Sequence, residues 1–432
     1  MILLNSVFLL SVRTKQRISA QVSLAIVRRC PTLNLDELRS YCKAELSCPS
    51  VFYRLNNVMT VALIAYYLGP RLGIGQYLDR LLPPLVESLT KMGIEPTILS
   101  SPNAYANTPA LQQLSHYVTV LPELDYSPSK RYLWLATHFR RYCDRHDINV
   151  VAWLSNPVLL PWHPPTVAVI HDVNEWKAKE KYGSRLKTAL RSLIYLDASI
   201  WLSKEIVAVS QATAEDLLHF RPDAHLKNKL KVISNGADSS LASLPPATIS
   251  ASSNPFILSV GRIDPAAKRL PEALHLIKSM RERSGEPWEL HFVGGMNAST
   301  QSEGESFMDH ALTFDWVHYH GHISDSELAQ WYRQSSAVVY LSDNEGFGLP
   351  IAEAASFKKW AIVSAANQAA LEVGQRSIIP IEPQDSTSSA DKVLTQLRLE
   401  AIATPNESLP TWQAAAAAYA NDLQYWHVSV SA

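Results

Sequence analysis

Two carboxylates eight positions apart carry the most chemistry in this sequence. They are Glu345 and Glu353, within Leu341–Ala354, LSDNEGFGLPIAEA. An apolar run ends at Leu341, a loop carries Glu345-Gly-Phe-Gly, and Pro350 suits the first turn of a helix. Gly346 and Gly348 permit close backbone approach, and a helix start offers unpaired N–H groups with a positive dipole end. Glu353 falls about one turn into that helix. Both acids can then face a cleft and accept hydrogen bonds from hydroxyl groups. Taken alone, such a pair is more often a solvated helix start, so its meaning depends on what surrounds it.

The elements that must position these acids are legible as a rhythm. Short apolar, β-branched runs at Val61–Ala65, Thr97–Leu99, Val118–Leu121, Asn149–Trp153, Val167–Ile170, Ile206–Val209 and Lys231–Ile233 predict strands. Amphipathic stretches at Gln76–Lys91, Lys130–Arg145, Ser184–Leu196 and Ala212–Phe220 predict the helices between them. Residues 239–254 have the Ser/Ala/Pro composition of a linker. A second series follows, with strands at Phe256–Val260, Glu289–Val293, Val317–Tyr319, Ala337–Leu341, Ala361–Val363 and Ile378–Ile381. Its helices fall at Leu270–Arg283, Asp325–Gln334, Pro350–Phe357 and Asp385–Ala401, before a last helix at Thr411–Trp426. Near-continuous apolar strands alternating with helices mean buried parallel sheets, hence an α/β protein with two doubly wound domains facing across a cleft. The boundaries expected are an extension at 1–58, a first domain at 59–240 with helix 410–432 packing back on it, a linker at 241–254 and a second domain at 255–405.

Composition narrows the function. The chain has 432 residues, 47% hydrophobic and 18% charged, with net charge −1. That excludes a disordered chain and a coiled coil, and it leaves no basic field to recruit nucleic acid. Cys30, Cys42, Cys48 and Cys143 form no CxxC pair, so neither a disulfide framework nor a zinc site is implied, and a cytoplasmic setting is expected. Glycine is scarce, at 15 residues where average usage would give about 30. Gly73-Ile-Gly75, between the first strand and helix, is weak evidence alone. A dehydrogenase reading fails because position 78 is leucine and no acid ends a second strand near Leu99.

In this company the Glu345–Glu353 segment resembles the E-x7-E signature of the retaining family-4 glycosyltransferases, which have the GT-B fold of two Rossmann-like domains. Ser259-Val-Gly-Arg-Ile-Asp-Pro-Ala-Ala-Lys268 resembles that family's Gly-Arg-x5-Lys element, and Val293-Gly-Gly295, Tyr319-His-Gly321 and Asp325–Trp331 follow in its order. Asn235-Gly-Ala-Asp238, Ile170-His-Asp172, Val207-Ala-Val-Ser210 and the Gly73/Gly75 loop also match. The resemblance implies transfer of a hexosyl group from a nucleoside-diphosphate sugar, with retention and with no metal or cofactor. It implies that Arg262 and Lys268 grip the diphosphate, as a fork-shaped donor and a point charge suit. Glu345 and His171 would then contact the sugar, Phe347, Gly348 and Leu349 would line the donor site, Glu353 would hold the ribose, and Gly73 and Gly75 would face the phosphates. Ser210 and Thr213 either cap the next helix or reach the cleft. GDP-mannose is favoured as donor, with UDP-glucose behind it. An epimerase on the same fold and a non-catalytic nucleotide-sugar or glycan binder are the rival readings.

Three features depart from this pattern or extend it. Phe357-Lys-Lys-Trp360 stands where the family has a small residue, Gly and Pro, which puts the shape behind the second Glu in question. Residues 1–58 carry eight Lys/Arg against three acids and no glycine, and read as an appendage, a helical cap, or an over-extended start before Met59. The basic stretches 130–145 and 177–191 are either solvated faces or surfaces for an anionic membrane or a lipid-diphosphate acceptor.

Overall fold

The computed structural model describes residues 60–67, 73–155, 160, 162–177, 193–237, 240–249, 253–296, 300–399 and 410–431. The chain divides between Val58 and Met59. The expectations for residues 1–58, the basic stretch beyond Lys177 and the helix start at Ser184 lie outside the described residues.

Two parallel sheets form, as the buried apolar runs require. The first has the order β3-β2-β1-β4-β5-β6-β7. Its strands are β1 (Thr60–Ala65), β2 (Glu95–Ser100), β3 (Val118–Val120), β4 (Ile148–Trp153), β5 (Thr166–Ile170), β6 (Glu205–Ala208) and β7 (Leu230–Val232). The second has the order β10-β9-β8-β11-β12-β13. It is built from β8 (Phe256–Val260), β9 (Glu289–Val293), β10 (Val317–Tyr319), β11 (Ala337–Tyr340), β12 (Trp360–Ser364) and β13 (Ile378–Ile381). Strand order reverses between β1 and β4 in one sheet and between β8 and β11 in the other. At such a reversal the flanking connections leave toward opposite faces and open a crevice at the carboxyl ends of the strands.

The helices that matter here are α1 (Gly73–Lys91), α2 (Gln211–Phe220), α3 (Leu270–Ser284), α4 (Asp325–Gln334), α5 (Leu349–Ser356), α6 (Gln368–Gly374), α7 (Ser386–Arg398) and α8 (Trp412–Ser431). Helix α1 contains Pro83 and Pro84, a costly pair inside a helix. It persists because Leu78, Leu81, Leu82, Leu85 and Leu89 are fully buried in the first lobe's core, where the helix packs on β2 and α8. Its first turn takes in Gly73 and Gly75, which the sequence pattern leaves in a loop. N–H groups of a first turn have no intrahelical partner in any case, so glycine weakens a helix least there. The stretch 128–145 is helical throughout, but Leu135–Phe139 winds as a π-helix.

Helix α8 returns to the first sheet's lobe. The Tyr77 hydroxyl donates to that of Tyr419 at 3.1 Å, and the Trp426 indole donates to Glu205 at 3.1 Å. The chain crosses between lobes twice, at adjacent places, where the Ala237 N–H donates to the Pro410 carbonyl at 2.7 Å.

Candidate functional site

The expected residues collect at the β8/β11 reversal and at the facing loops of the first lobe. Beyond β8, Asp264 caps a single helical turn (Pro265–Lys268) by accepting from the Ala267 N–H at 3.1 Å. Its other oxygen takes the Arg262 guanidinium at 2.9 Å. Arg262 Nε stays buried without a partner. A buried guanidinium donor left unpaired is costly unless an acceptor reaches it, which makes it a place for an anion.

Lys268 ends that turn and points at β11. Its ammonium pairs with Glu345 and donates to the Tyr340 hydroxyl at 2.8 Å. Burial raises the Glu345 pKa, but the Lys268 charge and hydrogen bonds from Lys268, Ser342 and Tyr340 outweigh it and hold the carboxyl below its ordinary range. Burial likewise lowers that of Lys268, and Glu345 and Tyr340 more than reverse it. Arg269, in the left-handed region at φ 48°, forms a parallel clamp by pairing with Asp343. Two ion pairs therefore tie the loop after β11 to the turn after β8. A cavity of about 10 Å³, room for roughly one water, remains beside Gly261, Arg262, Lys268 and Tyr340.

Glycine is required on the β11 loop for two different reasons. Gly348 has φ 92° and is the cap residue of α5. At Gly346 a Cβ would lie 1.5 Å from the His171 carbonyl oxygen, so only glycine lets the lobes touch there. Ser210 and Thr213 hydroxyls both donate to the Gly346 carbonyl, at 2.5 and 3.0 Å. Ser210 also accepts from the Thr213 N–H at 3.0 Å, so it caps α2 and reaches the cleft at once. The first backbone N–H groups of α2, on Gln211 and Ala212, donate to the two oxygens of Glu372 on α6, each at 2.9 Å.

Glu353 is buried in α5, 1% exposed. One oxygen pairs with Arg80 of α1 and the other accepts from the Tyr332 hydroxyl at 2.7 Å. Phe357 stacks on Tyr332 with centroids 5.2 Å apart and planes 4° from parallel. The departure at Phe357–Trp360 is thus accommodated: its aromatic ring buttresses the tyrosine that holds Glu353, and Lys358 takes a left-handed turn at φ 56°. Phe347 and Leu349 are buried beside this seam.

On the first lobe, His171 follows β5 with its Nε2 2.9 Å from the Leu154 carbonyl and its ring edge-on to Tyr77, centroids 4.7 Å apart. Burial pushes its pKa down, against a smaller upward effect of the Leu154 bond. A carbonyl cannot donate, so Nε2 carries the proton and Nδ1 keeps a lone pair. Asp172 accepts from the Asn174 N–H at 2.9 Å and shapes the loop. Gly73 is exposed and Gly75 buried, both in the first turn of α1, and nothing lies within 4 Å of where a Cβ on Gly73 would stand.

Sequence reasoning missed Arg80, Tyr332, Tyr340, Arg269, Asp343 and Glu372. Arg269 adjoins Lys268 and Asp343 precedes Glu345 by two, so proximity was a usable signal for that pair. Nothing in the sequence marks Arg80 among the polar positions of α1.

Two facing, doubly wound parallel sheets with a charged crevice between them define the GT-B architecture. Residues 82–241 match Glycosyltransferase Family 4 and residues 244–406 match Glycosyl transferases group 1. The chain belongs to this family of glycosyltransferases. It is 30% identical over 186 residues to the serotype-specific mannosyltransferase WbdA of Escherichia coli. That match takes in 38% of this chain and only 22% of WbdA. The fold is also that of Anabaena HepE, solved with UDP and glucose, at TM-score 0.58 and 16% identity over 87% of this chain and 100% of that one. UDP-GlcNAc 2-epimerase from Methanocaldococcus jannaschii superposes with TM-score 0.55 and 13% identity over 85% of this chain and all of that one, the figure being 100%.

Proposed function

We propose that this chain is a retaining, metal-independent transferase that moves a hexosyl group from a nucleoside-diphosphate sugar, GDP-mannose before UDP-glucose, to a glycan, lipid-linked or small-molecule acceptor. The observation that carries this reading is the Lys268–Glu345 pair beside an Arg262 guanidinium with an unpaired buried Nε, at the reversal of the second sheet. Arg262 and Lys268 receive the diphosphate and offset the charge that develops on it as it leaves, a stabilisation worth most where water is excluded. Glu345, released from Lys268 by that exchange, accepts hydrogen bonds from sugar hydroxyls. The Nδ1 lone pair of His171 accepts one from the opposite lobe. Glu353 has further lone pairs for the ribose hydroxyls while it keeps Arg80 and Tyr332.

In the transfer step the acceptor oxygen forms a bond to the anomeric carbon from the face the diphosphate leaves. The bond from that carbon to the phosphate oxygen breaks, and the acceptor hydroxyl proton passes to the departing phosphate. The seam at Gly346 and Glu353 closes the cleft and excludes water from a hydrolysable donor.

The acceptor side is read from the helical stretch 128–145. Lys130, Arg140, Arg141 and Arg145 are exposed there, beside exposed Tyr132, Leu133 and Trp162. Basic groups interleaved with apolar ones suit an anionic lipid surface or a lipid-diphosphate acceptor. Among the described residues no helix is long and apolar enough to cross a membrane.

The test is nucleoside-diphosphate release and product formation from a panel of nucleotide sugars, for wild type, Glu345→Ala and Lys268→Ala. Loss of about 100-fold or more in turnover by both variants is expected, the scale of deleting one group that stabilises a leaving charge. Full transfer by both overturns the assignment. An isomerised donor without acceptor identifies an epimerase instead, and donor binding without turnover identifies a binding protein.

A further inference from the structure

The second sheet carries another polar cluster, away from the cleft. Glu289 and His291 lie on the same face of β9, and His318 sits directly across from His291 on the edge strand β10. We propose that Glu289, His291 and His318 bind a divalent transition ion of the Zn²⁺ type. One ligand atom from each falls within a group no wider than 4.8 Å. The Glu289 oxygen is 3.1 Å from His291 Nε2 and 3.6 Å from His318 Nε2. Ligands about 2.0–2.1 Å from a tetrahedral ion stand roughly 3.3 Å from one another, so these spacings bracket those of a zinc site. Two imidazoles with one carboxylate select such an ion over calcium or magnesium, which prefer all-oxygen shells.

The supporting groups are also in place. His318 Nε2 is buried and makes no hydrogen bond, a state that costs free energy unless something accepts its lone pair or its proton. His291 Nδ1 lies 3.0 Å from His320 Nε2. With the proton on Nδ1 and shared with His320, the Nε2 lone pair of His291 faces the ion, the usual way an outer partner fixes a ligand tautomer. Glu289 Oε1 accepts from the Asn254 amide at 2.8 Å, which turns Oε2 inward. Phe256 and Trp331 pack on the His291 ring, with centroids 4.6 and 4.8 Å away, and keep one side dry. The His318 side chain is 39% exposed, so the cluster lies near solvent on that side while Nε2 itself faces inward.

Glu289 begins β9, about 13 Å of strand from the Val293 end that meets the cleft. The ion therefore acts as a staple, fixing the edge strand β10 to β9, and takes no part in transfer.

Chelator-stripped protein dialysed against Zn²⁺ alone, followed by metal analysis, tests this. Wild type and the exposed control His310→Ala should each bind one Zn²⁺ per chain, with affinity lowered tenfold or more in His318→Ala and Glu289→Gln. Zn²⁺ should also raise the thermal midpoint of wild type and not that of His318→Ala. Co²⁺ loading of wild type should give the intense visible absorption of a tetrahedral site. Failure of wild type to bind, or equal binding by His318→Ala, overturns the proposal.

Discussion

Glu345 and Glu353 stand eight residues apart on one loop and helix, yet they are partnered from opposite directions. Glu345 is held from within its own lobe, by Lys268 and Tyr340. Glu353 is held across the cleft, by Arg80 of the first lobe, with Tyr332 behind it. The first arrangement keeps a charged pair ready at a fixed place whether the cleft is open or shut. The second exists only while the lobes are together. One motif thus makes two kinds of tie, a local one that fixes a charged pair within the second lobe and a global one that joins the two lobes. The difference shows why spacing in sequence predicts little about mechanical role.

That contrast can be broken most sharply at Arg80. In Arg80→Ala, Glu353 becomes a buried carboxylate without its cation, and a loss of about 3–5 kcal/mol is expected in denaturant unfolding. Glu353→Gln in the same background should recover part of this, because the unpaired charge is gone. If Arg80→Ala unfolds like wild type, the cross-cleft pair holds nothing together.

Gly346→Ala probes closure by shape alone. The added methyl has no room against the His171 carbonyl, so the lobes must part or strain at a cost of about 1–3 kcal/mol. Small-angle scattering should show a larger radius of gyration with the Lys268–Glu345 pair intact. An unchanged radius and unchanged turnover would remove Gly346 from the seam. Glu372→Ala removes both acceptors from the first N–H groups of α2. About 1 kcal/mol is expected in the same unfolding measurement, the scale of losing a helix cap.

The smallest effect is a pH signature. Glu345 has a folded pKa below its ordinary 4.5, so its stabilisation is present above pH 4.5 and is lost only as pH falls through the lower, folded value. Lys268 is raised from 10.5, so its stabilisation is present below pH 10.5 and is lost as pH rises past its higher folded value. The stability difference between wild type and Glu345→Gln should shrink as pH falls through the folded value of Glu345, where the wild-type carboxyl also loses its charge. A difference unchanged by acidification would show that the pair is not formed as described.

The legibility of this molecule follows the same division. All thirteen strands among the described residues were signalled as apolar runs; most are buried, because a sheet covered on both faces allows few polar residues, while the edge strands β3 and β7 are largely exposed. Helix Gln301–Ala311 and α6 were missed. The first carries Gly304 and is exposed along most of its length, so its period is weak; the second is too short to show one. Within the site, Lys268, Arg262, Glu345 and Glu353 were visible through the resemblance of their two segments to family motifs, which glycine and proline mark off along the chain. Arg80 was not, since a solvated arginine and a cleft arginine look alike on an amphipathic helix. Tyr332 was hidden for a related reason: on α4 it reads as core, and only the fold shows its hydroxyl turned to a carboxylate. Burial alone cannot distinguish packing from positioning.

The double crossing beside Ala237 and Pro410 has one more consequence. Because the outgoing and returning segments are joined by a backbone hydrogen bond, everything between them is topologically an insert within the first lobe. Its two ends meet, as in a cassette held by a single clasp. Recombination that exchanges such an insert leaves the host's own core, including α8 against α1, untouched. In a fold wired in this way the second lobe can be replaced as a unit while the first is kept, with the seam residues Arg80, Ser210 and Thr213 as the parts that must be rematched.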